Sequence, residues 1–418
     1  MFIKHLSLAN FRNYKNAEVT LEPGVNLIVG PNGQGKTNLV ESIRYLSTLS
    51  SHRVAGYIPL IKANEPSAVI RAMASFDDRD ILVEVELNRE SANKGRVNKS
   101  PVARARDILG FVNTVTFAPE DLDIVKRDPS NRRAFIDELV IQVWPRFAGV
   151  YADYDRVLKQ RNTLLKTARN TGAKGSALST LDAWDASLVS YGSEIVAARV
   201  DLVNRLQPFL FGAYQSIAVA NNEPKILVKS SLAGAVIPPI YGGAGSGGPA
   251  AASLSAGASA GAGAIEEDDL DGSDGLEFIS TSDREEISRL FEAKLAVVRA
   301  KELERGLTLI GPQRDDLVLM LGELPAKGYA SHGESWSYAL ALRLASVEML
   351  RAETRSGDPV LILDDVFAEL DAGRRQRLAA MVANNEQVLI TAAVAEDIPE
   401  VLKAKRFDVR AGEVSSAE

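Results

Sequence analysis

Residues 1–90 alternate apolar and polar positions in short runs: Phe2–Leu8, Glu18–Leu21, Val25–Val29, Val69–Phe76 and Ile81–Leu87. Period-two alternation predicts half-buried strands. One stretch among them, 36–49, has helical spacing, with Leu39, Val40 and Leu46 on one side. A shorter strand, Val112–Phe117, leads into Pro119-Glu120-Asp121, a helix-start signal. From about 130 to 217 the pattern is helical, interrupted at Pro145 and at Thr171-Gly172. Leu164, Leu165, Leu181, Trp184, Leu188 and Ile195 suit amphipathic helices that bury a core. Residues 232–275 are rich in Gly, Ala and Ser and then acidic. Such a segment buries too little apolar surface to offset its ordering entropy, so the pattern predicts a disordered insertion. Order resumes with a helix over Arg284–Glu304, a strand over Leu317–Leu321 and a long helix from Glu334 to about Arg355. A buried strand ending at Asp364 follows, then a helix over Ala372–Val382 and strands over Gln387–Ile390 and Phe407–Val409. The predicted class is α/β with a mostly helical second lobe. The expected parts are 1–125, a helical lobe at 126–305 and a returning 306–418.

Gly30-Pro31-Asn32-Gly33-Gln34-Gly35-Lys36-Thr37 stands between a strand and a helix. GxxxxGK[ST] in that context is a nucleotide phosphate cradle. Glycines let backbone amides approach one anion, and the following helix adds the positive end of its dipole. Lys36 is expected to reach the β- and γ-phosphates, and Thr37 to ligate Mg²⁺. Far along the chain, Val360-Leu361-Ile362-Leu363 ends in Asp364-Asp365. An apolar strand finishing in Asp beside a phosphate loop is the Walker B arrangement. Asp364 is the expected holder of Mg²⁺ and Asp365 the residue expected to orient or deprotonate the attacking water. The active site is thus split between the two ends of the chain, with ATP or GTP as its ligand.

The 418 residues are 46% hydrophobic and 25% charged, which suits a chain with a sizeable core. There are no cysteines, which excludes a disulfide framework and a thiolate zinc site. No apolar run approaches the ~20 residues of a membrane span. Met1-Phe2-Ile3-Lys4-His5-Leu6 reads as a strand and not a signal peptide, so the expected location is the cytoplasm. The net charge of −7 argues at first against nucleic acid. Residues 230–277, however, hold seven acids and no Lys or Arg; with those set aside, 48 basic and 48 acidic residues remain. A local basic face is therefore open. Its candidates are Arg104, Arg106, Lys126, Arg127, Arg132 and Arg133, preceded by Lys94, Arg96 and Lys99.

Ala330-Ser331-His332-Gly333-Glu334 heads the helix before the Walker B strand, the place of the signature motif in ABC-type ATPases. Further stretches narrow the likeness: Leu8-Ala9-Asn10-Phe11-Arg12-Asn13-Tyr14, Phe117-Ala118-Pro119-Glu120-Asp121-Leu122, Asp128-Pro129-Ser130-Asn131-Arg132-Arg133, Gly311-Pro312-Gln313-Arg314-Asp315-Asp316 and Asp364 through Asp371. In this order they resemble the RecF family of SMC-like ABC ATPases, over nearly the whole chain except the 232–275 insertion.

The resemblance implies an ABC-type head without a long coiled coil, formed by an α/β lobe and a helical lobe. It implies Mg-ATP held by Gly30, Asn32, Gly33, Gln34, Gly35, Lys36, Thr37 and Asn38, with Arg12 and Asn13 nearby. It also implies an ATP-dependent homodimer in which Ser331 and Gly333 reach the nucleotide of the other copy. Slow, DNA-stimulated ATP hydrolysis, binding to duplex and gapped DNA in recombinational repair, and the mediator partners RecR and RecO follow from the same likeness. Two positions depart from the expected pattern. Glu334 stands where a Gln is usual and adds negative charge near a triphosphate. The stretch Gly311-Pro312-Gln313-Arg314 lacks the His that the family often has there. Separately, Thr391 stands where ABC transporters carry a switch histidine. The competing readings are an ABC ATPase subunit of another complex and an ATP-sensing DNA clamp with negligible turnover.

Overall fold

The computed structural model describes residues 1–51, 53–54, 56–77, 79–172, 179–218, 222–233, 277–354 and 357–416. Its centre is a six-stranded sheet in the order β16 (Glu413–Ser416), β15 (Ala404–Arg410), β3 (Gly24–Val29), β14 (Gln387–Ala392), β13 (Val360–Asp364) and β8 (Thr114–Phe117). All neighbours run parallel except the β15–β16 hairpin. Parallel strands covered on both faces read as unbroken apolar runs, and Val360-Leu361-Ile362-Leu363 is buried at every position. Alternate residues serve two different cores. Ile28, Val360, Ile362 and Leu389 face the first helix, α1 (Lys36–Thr48). Leu27, Leu361, Leu363, Val388 and Ile390 face the helical lobe.

Beyond α1 lies a second six-stranded sheet, antiparallel, in the order β2 (Tyr14–Thr20), β1 (Phe2–Phe11), β4 (Ser67–Phe76), β5 (Arg79–Asn88), β6 (Lys94–Val97) and β7 (Ser100–Pro101). Its inward positions, including Ile3, Leu6, Leu8, Ile70, Val83 and Val85, join Leu39, Val40, Ile43 and Leu46 of α1 in one cluster. Helix α1 is therefore clamped between two sheets, which fixes the loop at its N-terminus.

The helical side contains α2 (Leu122–Lys126), α3 (Pro129–Val143), α4 (Phe147–Thr171), α5 (Ser179–Ile217), α6 (Arg284–Arg305), a single turn α7 (Ala326–Tyr329), α8 (His332–Glu353) and α9 (Ala372–Val382). The predicted breaks occur as expected. Pro145 falls between α3 and α4, and Gly172 closes α4 at φ 62°. The 39-residue α5 packs along α4, α6 and α8, so no coiled coil leaves the body among the described residues. Arg161, fully buried, ties this lobe together through Glu302, Asp185 and Thr308.

A small sheet was not foreseen in the sequence pattern. Its order is β10 (Glu277–Ile279), β9 (Pro224–Ser230), β11 (Asp316–Leu321) and β12 (Leu324–Pro325). Strands β9 and β10 flank the expected insertion and pair antiparallel, with Glu277 opposite Ser230. Of the 232–275 segment, Leu232 and Ala233 are buried in the core, against expectation; 234–275 lies outside the described residues.

Two of the motif stretches meet as a clasp. Arg132 is buried and donates to both carboxylate oxygens of Asp316, at 2.7 and 2.9 Å, and to the carbonyls of Ile124 and Arg127. Arg133, half-buried, donates to the Asp315 carbonyl. Asp315 in turn accepts from Ser230 and Ser231, the end of β9, and burial raises its pKa. The expectation that Arg132 contacts DNA is thus corrected. Arg132 is desolvated and committed to an internal partner, and Arg133 is turned onto the same clasp. Truncating one member of a buried ion pair leaves the other charge uncompensated, at a cost of about 3–5 kcal/mol. Arg132→Ala is expected to lower stability by that order in urea unfolding, while the apolar double variant Arg132→Met/Asp316→Leu recovers most of the loss.

Candidate nucleotide site

The site forms where three strands end at the carboxyl side of the central sheet. Strand β3 delivers the glycine loop, β13 delivers Asp364, and β14 lies between them. Register places Asp364 beside Thr391, and Thr391 beside Ile28. The carboxyl ends of parallel strands flanking a loop-to-helix turn are the usual ligand position in such sheets.

The loop is held from outside by side chains of neighbouring turns. Asn13 Nδ2 donates to the Gln34 carbonyl at 2.9 Å, and Tyr14 donates its hydroxyl to the Gly35 carbonyl at 2.9 Å. Asn38 Nδ2 donates to Asn13 Oδ1 at 2.8 Å. From the β15–β16 turn, the Ala411 and Gly412 amides donate to Gln34 Oε1 and to its carbonyl. Two glycines are obligatory here. Gly35 has φ 119°, and a Cβ on it would lie 2.6 Å from Asn13 Nδ2. A Cβ on Gly30 would collide with the Val409 carbonyl of β15. Gly33, at φ 80°, and Asn32 form the exposed crest. Lys36 is buried, with Nζ resting on the Pro31 carbonyl at 3.4 Å and Asn32 Oδ1 at 3.3 Å. These are weak partners for an ammonium ion, and an incoming phosphate would replace them.

Arg12 has a partner that the sequence did not reveal. Its guanidinium grips Glu41 of α1 through two bonds, at 2.9 and 2.8 Å, and that carboxylate is fully buried. Burial opposes ionisation of Glu41, yet hydrogen bonds from Arg12 and Ser51 hold its pKa below the ordinary value.

Asp364 and Thr37 are separated by 327 residues, yet Thr37 Oγ1 donates to Asp364 Oδ1 at 3.1 Å. Two ligands on adjacent corners of a Mg²⁺ octahedron with ~2.1 Å bonds stand about 3.0 Å apart. The two oxygens therefore already have the spacing that the metal requires. Among the described residues, no group of three or more His, Asp or Glu forms a self-sufficient metal cage. Mg²⁺ takes one or two protein oxygens and fills the rest with water and phosphate. Asp364 is buried, and its pKa is pushed up to about 6, first by burial and also by the charge of Asp365, against the hydroxyls of Thr391 and Thr37. Asp365, half-buried, adopts φ 52°. Its amide donates to Thr391 Oγ1 at 2.9 Å.

Ser331 and Gly333 stand apart at the N-terminus of α8. Ser331 Oγ accepts from the Glu334 amide at 3.2 Å, and Glu334 accepts from the Ser331 amide at 2.9 Å, a reciprocal capping box. Asn222 donates to the other Glu334 oxygen at 3.0 Å, and the amide and hydroxyl of Ser331 hold the Glu334 pKa down. The acid that departs from the expected pattern is therefore bent back onto its own helix start. Gly333 lies under Arg374, whose Nη2 would be 2.6 Å from a Cβ there. Of the remaining basic candidates, Arg104 and Lys126 are exposed and Arg106 is half-buried. Arg127 is exposed and pairs with Asp123, while Lys126 donates to Nδ1 of His332 in the signature at 2.9 Å. The Pro119–Leu122 stretch is tied to the same helix: Arg343 of α8 donates to Asp121 at 2.6 Å.

Comparison with known proteins agrees with this geometry. The family described as RecF/RecN/SMC N terminal domain matches residues 2–413. The protein called DNA replication and repair protein RecF in Streptomyces avermitilis is 50% identical over 417 residues, covering 99% of both chains. The chain belongs to the RecF family. The relative of the same description in Clavibacter michiganensis subsp. michiganensis is also 50% identical, over 100% of this chain and 96% of its own. A solved structure of the recombination mediator protein RecF with ATPrS, of the RecFOR pathway, superposes with a TM-score of 0.81 at 26% identity. It covers 100% of this chain and 98% of the other, and the ATP form of that RecF gives 0.79. The ABC-type head expected from the motifs is the fold the chain has. No helix among the described residues is long and apolar enough to cross a membrane.

A carboxyl group whose folded pKa lies above its unfolded value binds its proton more tightly when folded. The associated stability is complete below about pH 4 and is lost as pH rises through about 6. At pH 7, an ionised and metal-free Asp364 therefore costs up to about 3 kcal/mol. Asp364→Asn is expected to raise the melting temperature of the metal-free protein at pH 7 and to change it little at pH 4.5. Thermal scans at the two pH values in EDTA check this.

Proposed function

We propose that this chain is an ATP-dependent DNA-binding protein of replication and recombinational gap repair, and a slow ATPase. The observation that carries the reading is the convergence of Thr37 and Asp364 from opposite ends of the chain onto one hydrogen bond at the mouth of the glycine loop. RecF relatives over the full length and the RecF structures with nucleotide support it.

In this reading the amides of residues 33–37 and Lys36 bind the phosphates of ATP, with Gly30, Asn32 and Asn38 completing the loop. Arg12 and Asn13 act by bracing helix and loop. Thr37 and Asp364 hold Mg²⁺, which when bound neutralises charge on the phosphates. Asp365 orients the attacking water and accepts its proton. Ser331 and Gly333 complete the site of a second copy, so ATP closes a homodimer. Binding of duplex and gapped DNA then draws on the exposed cations Arg104, Lys126 and Arg127 and on half-buried Arg106. RecR and RecO are the partners proposed by family likeness.

Fluorescence anisotropy of a labelled duplex bearing a single-stranded gap tests the reading, with light scattering and phosphate release measured on the same samples. Mg-ATP is expected to tighten DNA binding at least ten-fold and to produce a dimer. Lys36→Met should abolish both effects. Ser331→Arg should keep ATP binding and lose the dimer. Asp365→Asn should keep the dimer and lose phosphate release. Tightening and dimer formation without phosphate release in the unaltered protein would instead establish an ATP-sensing clamp. DNA affinity indifferent to ATP would overturn the proposal.

A further inference from the structure

Thr391 ends β14, the strand inserted between the glycine-loop strand and the carboxylate strand. It is fully buried among Val388, Leu389 and Ile390 of its own strand and the neighbouring strands β3 and β13. Valine would satisfy the β-branched packing of such a position equally well. The hydroxyl is what differs, and it is fully committed. It donates to Asp364 Oδ1 at 2.5 Å and accepts from the Asp365 amide at 2.9 Å. A short bond to an ionised acceptor is stronger than a neutral one. The accepted amide belongs to a residue at φ 52°, a conformation uncommon for a residue with a side chain. One buried hydroxyl thus grips two consecutive carboxylate residues, the first by its side chain and the second by its backbone, with the Asp365 Oδ1 a longer 3.5 Å away.

We infer that Thr391 is the positioning residue of the metal site. It fixes which oxygen of Asp364 faces Thr37, and it holds the backbone turn that aims Asp365. The inference rests on the reading of Thr37 and Asp364 as the metal ligands. Two donors, Thr391 and Thr37, converge on the same Oδ1, and this convergence sets the 3.1 Å separation that suits Mg²⁺. Direct sensing of the γ-phosphate by Thr391 does not fit the geometry, because its single proton is already on Asp364 and its side chain has no exposed surface. Its effect on ATP runs through the metal ligand.

The test measures binding of a fluorescent ATP analogue to the full chain in Mg²⁺ and in EDTA. Loss of a partner that orients a metal ligand typically costs 10–100-fold in metal affinity. Thr391→Val is expected to keep the EDTA affinity and to lose at least ten-fold of the tightening that Mg²⁺ produces. Thr391→Ser, which keeps the hydroxyl and loses the methyl, should restore the tightening. Melting temperatures in EDTA identify any variant that is merely misfolded, and Thr391→Ser then carries the comparison. Full Mg²⁺-dependent tightening in Thr391→Val overturns the proposal, as does an equal loss with and without metal. Lys36→Met serves as the control for the underlying reading: if it still binds the analogue, the nucleotide site itself is wrong, whatever Thr391→Val does.

Discussion

A carboxylate buried at the end of a central strand is the constraint on which the rest of this structure depends. Asp364 is desolvated, faces a second acid and accepts hydrogen bonds from two uncharged hydroxyls. Such a group is costly in a protein that has no cation beside it. Its surroundings are therefore rigid where rigidity matters. The strand carrying it lies deep in a parallel sheet, the threonine opposite has no freedom, and α1 is sandwiched between two sheets. The glycine loop has little internal bonding of its own. It is kept open by Asn13, Tyr14 and the β15–β16 turn, so the cradle is shaped before any phosphate arrives.

The signature helix is anchored by different means. Glu334 is absorbed by its capping box and by Asn222, while Arg343 fastens the middle of α8 to Asp121. Helix α8 thus bridges the segment that follows β8 and the small sheet around β9, and these parts are mechanically linked. The clasp formed by Arg132, Arg133, Asp315 and Asp316 belongs to the same framework. Its arginines resembled a polyanion surface in sequence only because charge runs do not reveal which face they occupy.

Much of this was legible in the sequence. The glycine loop, the Walker B strand and α9 lie where their patterns placed them, because each rests on local signals: glycine spacing, an unbroken apolar run, or a cap with periodic apolar residues. Strands β9 and β10 went unread because they are short, sit beside a compositionally biased stretch and owe their form to pairing with each other and with β11. The Arg12–Glu41 pair and the grip of Thr391 on two acids are long-range contacts, and no spacing rule announces them. Thr391 sits in register beside Asp364 and beside Ile28, a placement that only the folded sheet reveals.

The antiparallel pairing of Glu277 with Ser230 has a corollary for chain length. The two ends of the long excursion between β9 and β10 are fastened to each other and, through Ser230 and Ser231, to the Asp315 turn. Once the ends are fixed in this way, doubling the length of chain between them costs only about 0.6 kcal/mol in closure entropy. A change in the length of chain between them is therefore cheap in closure entropy. The loop from Gly30 to Thr37 has no such latitude at Gly30 and Gly35, where a neighbouring backbone or side chain occupies the space of a Cβ. The same chain thus carries a pair of strand ends that tolerates a change of length between them and a loop in which a methyl group added at Gly30 or Gly35 would be rejected.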